Sequence, residues 1–174
     1  MYNAYDRPHR DLRELLKRAE AANELLTIDG VNWNLEMGAL TEVIHHAGTN
    51  PPAILFQRIP GFPEGFRVLS GASNSSRRLA MTLGFPEPKT PMDVVHAYRN
   101  RMKTHTPLSP EVVDQGPILQ NIDRDDEVDV LKFPVPLLHE RDGGRYIGTD
   151  DLVILSLIHI SEPTRPRLIS YAVF

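Results

Sequence analysis

Apolar residues recur at intervals of three and four between Arg10 and Asn23. Leu12, Leu15, Leu16, Ala19 and Ala22 fall on one stripe, with Arg13, Lys17, Arg18 and Glu20 on the other faces. The spacing predicts an amphipathic helix, followed by a short strand at ELLTID. Asn34 is placed to cap a second helix, in which Met37, Leu40, Ile44 and Ala47 repeat at helical spacing and Gly48 ends the run. PPAILFQ predicts a short apolar strand behind a double proline, IPGFPEGF a loop, and FRVLSG a further strand. Asn74 or Ser75 opens a third helix through Arg77, Leu79 and Leu83, stopped by Gly84. A fourth starts with Thr90 as cap, Pro91 at the first helical position and Asp93 in the first turn, and its pattern buries Val94, Val95, Tyr98 and Met102.

The pattern changes after Pro107. THTPLSPEVVDQGP is punctuated by proline and predicts a boundary. Beyond it ILQNI and VDVLKF read as strands flanking the acidic turn DRDDE, LLHERDGGRYIGT carries a Gly-Gly turn, and DDLVI begins another strand. Helices alternating with strands and then strands alone predict an α/β domain over 1–115 and the start of a mostly β domain over 116–154.

Composition narrows the function classes. The chain of 174 residues is 41% apolar and 24% charged, in the range of ordinary soluble domains. A net charge of −4 argues against a general nucleic-acid binder, which needs a concentrated basic face. With no cysteine, disulfide scaffolds and thiolate zinc sites are excluded. The residues after Met1 lack the apolar core of a secretory signal, and no run is long enough to span a bilayer. A cytoplasmic protein is expected.

The last twenty residues stand apart. LSLIHISEPTR, from Leu155 to Arg165, is the one-frame translation of a widely used transposase sequencing adapter, and ISYAVF is what its flow-cell end yields. Pro166, Arg167 and Leu168 fill the gap that a sample index occupies. The rival reading is a natural strand pair, since RLISYAVF is β-prone. Residues 155–174 are therefore expected to be an adapter-derived tail outside the fold.

Among chemistry-bearing residues, His45 and His46 are neighbours on one helix and diverge by about 100°, so they cannot clamp one metal together. Neither is read as having a carboxylate or third histidine one turn away. DRDDEVD lacks the turn glycine and distant glutamate of a calcium loop and reads as a solvated acidic turn. Arg77 and Arg78 could meet a phosphate at a helix start, although a solvated surface pair is the plainer reading. His139, Glu140 and Asp142 beside Gly143 and Gly144 form the most suggestive cluster, because a glycine pair lets backbone approach a ligand closely. A tight hairpin explains the same residues. Composition and spacing alone do not reveal a function.

The ordered motifs carry more. DLRELLKRAEAANELLTIDG followed by LEMGALTEVI resembles the opening of the UbiD family of reversible decarboxylases. PPAILFQRIPG is similar to that family's Gly-Pro-Ala-Leu-Leu-Phe-Glu-Asn strand and loop, and SSRRLAMTLGF to its next helix. QNIDRDDEVDVLKFPVPLLHERDGGRYIGTDDLVI is the strongest match, covering the Leu-Pro strand and the Asp-Gly-Gly turn. The series runs in order over nearly all of residues 10–154. Thr49-Asn50-Pro51 departs from the common Gly-Gly-Pro, and Gly71 stands near a usual Asn.

The resemblance implies an α/β domain leading into a flavin-binding split β-barrel, of which residues 116–154 are the first, incomplete part. It implies a carboxy-lyase acting on aromatic or α,β-unsaturated carboxylic acids, with prenylated FMN, Mn2+ and K+ as cofactors. It further implies a homo-oligomeric parent whose cofactor comes from a flavin prenyltransferase. Thr149 matches a threonine at the edge of the flavin pocket, with Gly143, Gly144 and Tyr146 as neighbours. The family's catalytic and metal-binding residues match no position before Ile154, so the chain itself is expected to be inactive. The rival expectation is a short accessory subunit keeping only the N-terminal domain.

Overall fold

Local chemistry explains most of the element boundaries in the computed structural model, which describes residues 5–148. The first helix, α1 (Leu12–Ala21), starts where Asp11 in an extended conformation accepts a hydrogen bond from the Glu14 backbone N–H. Strand β1 (Leu25–Asp29) follows, then α2 (Glu36–His46), β2 (Ala53–Gln57) and β3 (Val68–Ser70). Helix α3 (Ser76–Leu83) is capped by the Ser75 hydroxyl and ends at Gly84 in the left-handed region with φ of +64°. Helix α4 (Pro91–Thr104) opens with a reciprocal capping box between Thr90 and Asp93.

The sheet has the order β1-β2-β3. β1 and β2 run parallel from Leu25 opposite Ala53 to Asp29 opposite Gln57, while β3 pairs antiparallel with β2. A parallel pair needs a crossover, and α2 supplies it. The central strand is buried from Ala53 to Phe56, as expected for a strand covered on both faces. Ile54 and Phe56 pack with Val31, Met37 and Ile59 beneath α2. On the other side Leu15, Ala19, Ala80, Met81, Phe85 and Val94 join α1, α3 and α4 in a second cluster that reaches Leu25.

The α/β class is as the pattern predicts, and three local readings differ. Asn34 does not cap α2; Leu35 occupies that position at φ +67° with no side-chain cap, because its backbone is tied to Leu137. In α4 only Val94 of the four predicted core residues is buried, while Val95, Tyr98 and Met102 are each about half exposed. ILQNI and VDVLKF form no strand. Single turns of 3-10 helix occur at Pro117–Leu119, Asp125–Glu127 and Val130–Lys132 instead, since no neighbouring strand is present to pair with them among the described residues. DDLVI and Thr149 lie outside the described residues.

Candidate functional site

The C-terminal part of the described chain returns to α2, and its docking builds a polar concavity. Leu137 exchanges backbone hydrogen bonds with the turn before α2: the Leu137 N–H donates to the Trp33 carbonyl at 3.1 Å, and the Leu35 N–H donates to the Leu137 carbonyl at 2.9 Å. Gly38 lets this segment lie directly on the helix, for a Cβ there would stand 1.9 Å from the Leu138 carbonyl oxygen. The Arg145 guanidinium stacks 4.1 Å from the centre of the Trp33 ring and donates to the Val135 and Phe133 carbonyls. The positive φ of Leu35 is therefore imposed by contacts on both sides.

Between the docked segment, α2 and the loop after β3 lies a groove of about 390 Å3, whose polar lining includes Thr41, Glu42, His45, Ser70, Asn74 and His139. Glu42 is its electrostatic centre. One carboxylate oxygen lies 3.1 Å from His139 Nε2 and the other 3.4 Å from His46 Nε2. Asp142 approaches His139 Nδ1 at 3.4 Å and accepts a hydrogen bond from the His139 backbone N–H at 2.9 Å. The hydrogen bond to His139 holds the Glu42 carboxyl below its usual range, and the same contact raises the His139 imidazole above its own. The His45 ring packs against Gly71, where a Cβ would come within 2.6 Å of it, and its Nε2 is buried without a hydrogen-bond partner.

A smaller cleft of about 150 Å3 shares Thr41, Ser70 and Gly71 with this groove and is closed on its other side by Pro136, Tyr146 and Gly148. Tyr146 thus stands at a cavity edge. Gly143 and Gly144 border neither space; a Cβ on either would meet nothing within 4 Å. Glu140 is exposed, and Thr149 is outside the described residues.

The reading that neither helix histidine has a carboxylate one turn away is corrected: Glu42 precedes His46 by four residues and faces it. Arg77 and Arg78 form neither a phosphate site nor a solvated pair. Arg78, 2% exposed, donates to Glu24 and to the Pro51 carbonyl at 2.8 Å each, while Arg77 bridges Glu24 and Glu87. Asp123–Asp129 is exposed throughout. Thr41, Glu42, Ser70, Trp33 and Arg145 were not legible as site residues, because what unites them is a docking 97 residues apart in sequence between Glu42 and His139.

No group of three or more histidine, aspartate or glutamate side chains among the described residues can hold a metal ion. Pockets that enclose cofactors and drug-sized ligands run to roughly 300–1,000 Å3 and bury most of the ligand. The Tyr146 cleft is smaller than that range, and the lining of the larger groove carries no lysine or arginine. The described residues therefore compose no metal site.

Comparison with known proteins gives this arrangement its context. Residues 16–98 match the sequence model of the 3-octaprenyl-4-hydroxybenzoate carboxy-lyase N-terminal domain, and residues 111–160 match that of the carboxy-lyase Rift-related domain. Pyrrole-2-carboxylic acid decarboxylase of Pseudomonas aeruginosa is 36% identical over 80% of the chain, and ferulic acid decarboxylase 1 of Candida dubliniensis is 32% identical over 85%. The chain spans 29% and 31% of the lengths of these two relatives. Among solved structures, vanillic acid decarboxylase of Sedimentibacter hydroxybenzoicus in an open form superposes with a TM-score of 0.69 at 27% identity, covering 80% of this chain and 30% of that one. With both family models matched in order along most of its length, the chain belongs to the UbiD family of carboxy-lyases.

Proposed function

We propose that this chain is the N-terminal portion of a non-oxidative carboxy-lyase that acts on small aromatic or α,β-unsaturated carboxylic acids. The observation that carries the reading is the ordered match of residues 16–98 and 111–160 to the two family models, in a chain that spans 29% and 31% of the two relatives' lengths. The substrate class is supported by the relatives, named for pyrrole-2-carboxylic, ferulic and phenolic acids. The parent would use prenylated FMN, with Mn2+ and K+ at its phosphate. When bound, the flavin supplies the electron sink for breaking the carbon–carboxylate bond.

This chain's own residues have a supporting part in that reading. Residues 1–115 form an α/β domain, 116–154 begin the flavin-binding domain, and 155–174 are an adapter-derived tail. The Arg145–Trp33 stack and the Glu42–His139 contact hold the segment leading to Thr149 against α2. Thr149, Gly143, Gly144 and Tyr146 would border the flavin from there. The parent is a cytoplasmic homo-oligomer supplied by a flavin prenyltransferase. The 174-residue chain is inactive.

An assay of CO2 release from pyrrole-2-carboxylate, ferulate and vanillate, with prenylated FMN, Mn2+ and K+ added, tests both parts. The expected result is release by the full-length parent and none by this chain. Release by the chain alone would overturn its inactivity, and a silent parent would overturn the decarboxylase reading.

A further inference from the structure

The segment that docks on α2 is tied into one unit by its own contacts. Arg145 donates to the Phe133 and Val135 carbonyls, and the Tyr146 N–H donates to the Pro136 carbonyl at 3.0 Å. Backbone hydrogen bonds at Leu137 and the Arg145 guanidinium over Trp33 fix one end of this unit to the turn before α2. At the other end, His139 reaches along the helix to Glu42. Leu138 lines both the 390 Å3 groove and the Tyr146 cleft, so where the unit sits sets the size of both spaces.

His139 lies between two carboxylates. Its Nε2 faces Glu42 of α2 at 3.1 Å, and its Nδ1 faces Asp142 of its own turn at 3.4 Å. An imidazolium donates from both nitrogens, whereas a neutral imidazole carries one N–H and turns a lone pair toward one of the two carboxylates. The arrangement therefore selects the charged ring. Asp142 is held in place because it also accepts the His139 backbone N–H at 2.9 Å. No other cation substitutes. His46 faces the second oxygen of Glu42 at 3.4 Å but belongs to the same helix, so it cannot draw the segment in. The His45 ring packs against Gly71, and the loop after β3 adds Ser70, Ser73 and Asn74 without a charge. On the turn of His139 itself, Glu140 and Arg141 are exposed and make no ion pair among the described residues.

We propose that His139 is a proton-operated latch: its imidazolium bridges Asp142 to Glu42 and seats the segment on α2, and loss of one proton frees that end and widens the groove. The seated contact raises the imidazole above its ordinary value of about 6.5 and lowers the Glu42 carboxyl. A raised group stabilises the seated form fully below about 6.5, and that contribution is lost as pH rises through the seated value. The lowered carboxylate acts in the opposite sense, its contribution being lost as pH falls through its own seated value. Seating is therefore tightest between the two ranges and loosens as pH rises past that of His139. The inference does not depend on the decarboxylase reading, because every contact it uses lies among the described residues.

Trp33 is the single tryptophan of the chain and lies under Arg145 of the same unit, so its quenching by acrylamide reports seating. On the 174-residue chain, quenching should rise in one step between pH about 5.5 and about 8.5, with its midpoint above 6.5. His139→Gln should be quenched at the high-pH level throughout. His139→Arg, which keeps its charge, should stay at the low-pH level throughout. Glu42→Gln should abolish the step, since the cation then has no charge on α2 to hold, and His46→Gln should leave the step in place. Glu42, His46 and His139 are exposed, so the fold should survive each change, which circular dichroism checks. A flat profile for the chain, a step that persists in His139→Gln, His139→Arg or Glu42→Gln, or one that vanishes in His46→Gln would each overturn the proposal.

Discussion

Glu24 and Arg78 show how much of this fold rests on single charges. Each is nearly inaccessible, and around them Ser75, Asn50 and the carbonyls of Pro51 and Gly71 complete a network joining β1, the β2 approach and α3. Removing one member leaves the other as a buried, uncompensated charge. Glu24→Ala is therefore expected to cost about 3–5 kcal/mol, read from urea denaturation. A loss under about 1 kcal/mol would mean that the carbonyls alone satisfy Arg78.

Glu14 gives the residue scale its pH dependence. A hydrogen bond from buried Arg18, with others from Arg10, holds its carboxyl at about 2. A depressed carboxylate contributes stability that is full above its unfolded value, about 4.3 for glutamate, and that is lost as pH falls through the folded value near 2. Melting curves of the chain and of Glu14→Gln should differ most above pH about 4.5 and converge toward pH about 2. A constant gap across that range would remove Glu14 as the source. Periodicity placed Arg18 on a polar face of α1, yet it is fully buried, donating to Arg7, Pro8 and Glu14. A hydrophobic pattern cannot see a cation whose partners lie in the preceding turn and loop.

At the scale of elements, caps were the most legible signals because they are local. Ser75, Gly84, and Thr90 with Asp93 act where their chemistry predicts. Thr90→Ala should cost about 1 kcal/mol in chemical denaturation, and no measurable loss would show that the Asp93 half of the box suffices. The outward face of α4 and the segment after Gly116 were misread for one shared reason. Apolar residues announce burial or pairing, but whether a covering partner lies within reach is not written locally. Val95, Tyr98 and Met102, like Leu131 and Phe133, keep much of their surface exposed. The candidate groove was half legible. His139, Asp142 and the glycine pair stood out as a cluster, whereas Gly38 took meaning only once the Leu138 backbone lay upon it. Gly38→Ala should lift that segment from α2, seen as faster proteolysis between Phe133 and Gly148 with the sheet intact. Unchanged cleavage would mean that the helix shifts instead.

For the whole molecule, an α/β unit with two clusters of core residues supports a long tail of exposed chain. Leu108 and Val112 are more than 90% exposed, and no strand pairs the segment 105–134 among the described residues. Hydrogen exchange should accordingly separate the two parts, with amides of Ala53–Gln57 the slowest and those of 107–129 exchanging at close to unfolded rates. Uniform protection would contradict this division. Among the described residues, no helix is long and apolar enough to cross a membrane. The family was legible from the order of motifs, each weak alone.

The central claim is that the chain is one portion of a longer carboxy-lyase, joined at its end to adapter sequence. Adapter-free long-read sequencing of the source locus across the codons for Ile154 and Leu155 tests it directly. The account predicts a reading frame that leaves LSLIHISEPTR behind and continues as a carboxy-lyase. A genome that itself encodes Leu155–Phe174 and then stops would contradict it, and the accessory-subunit reading would take its place.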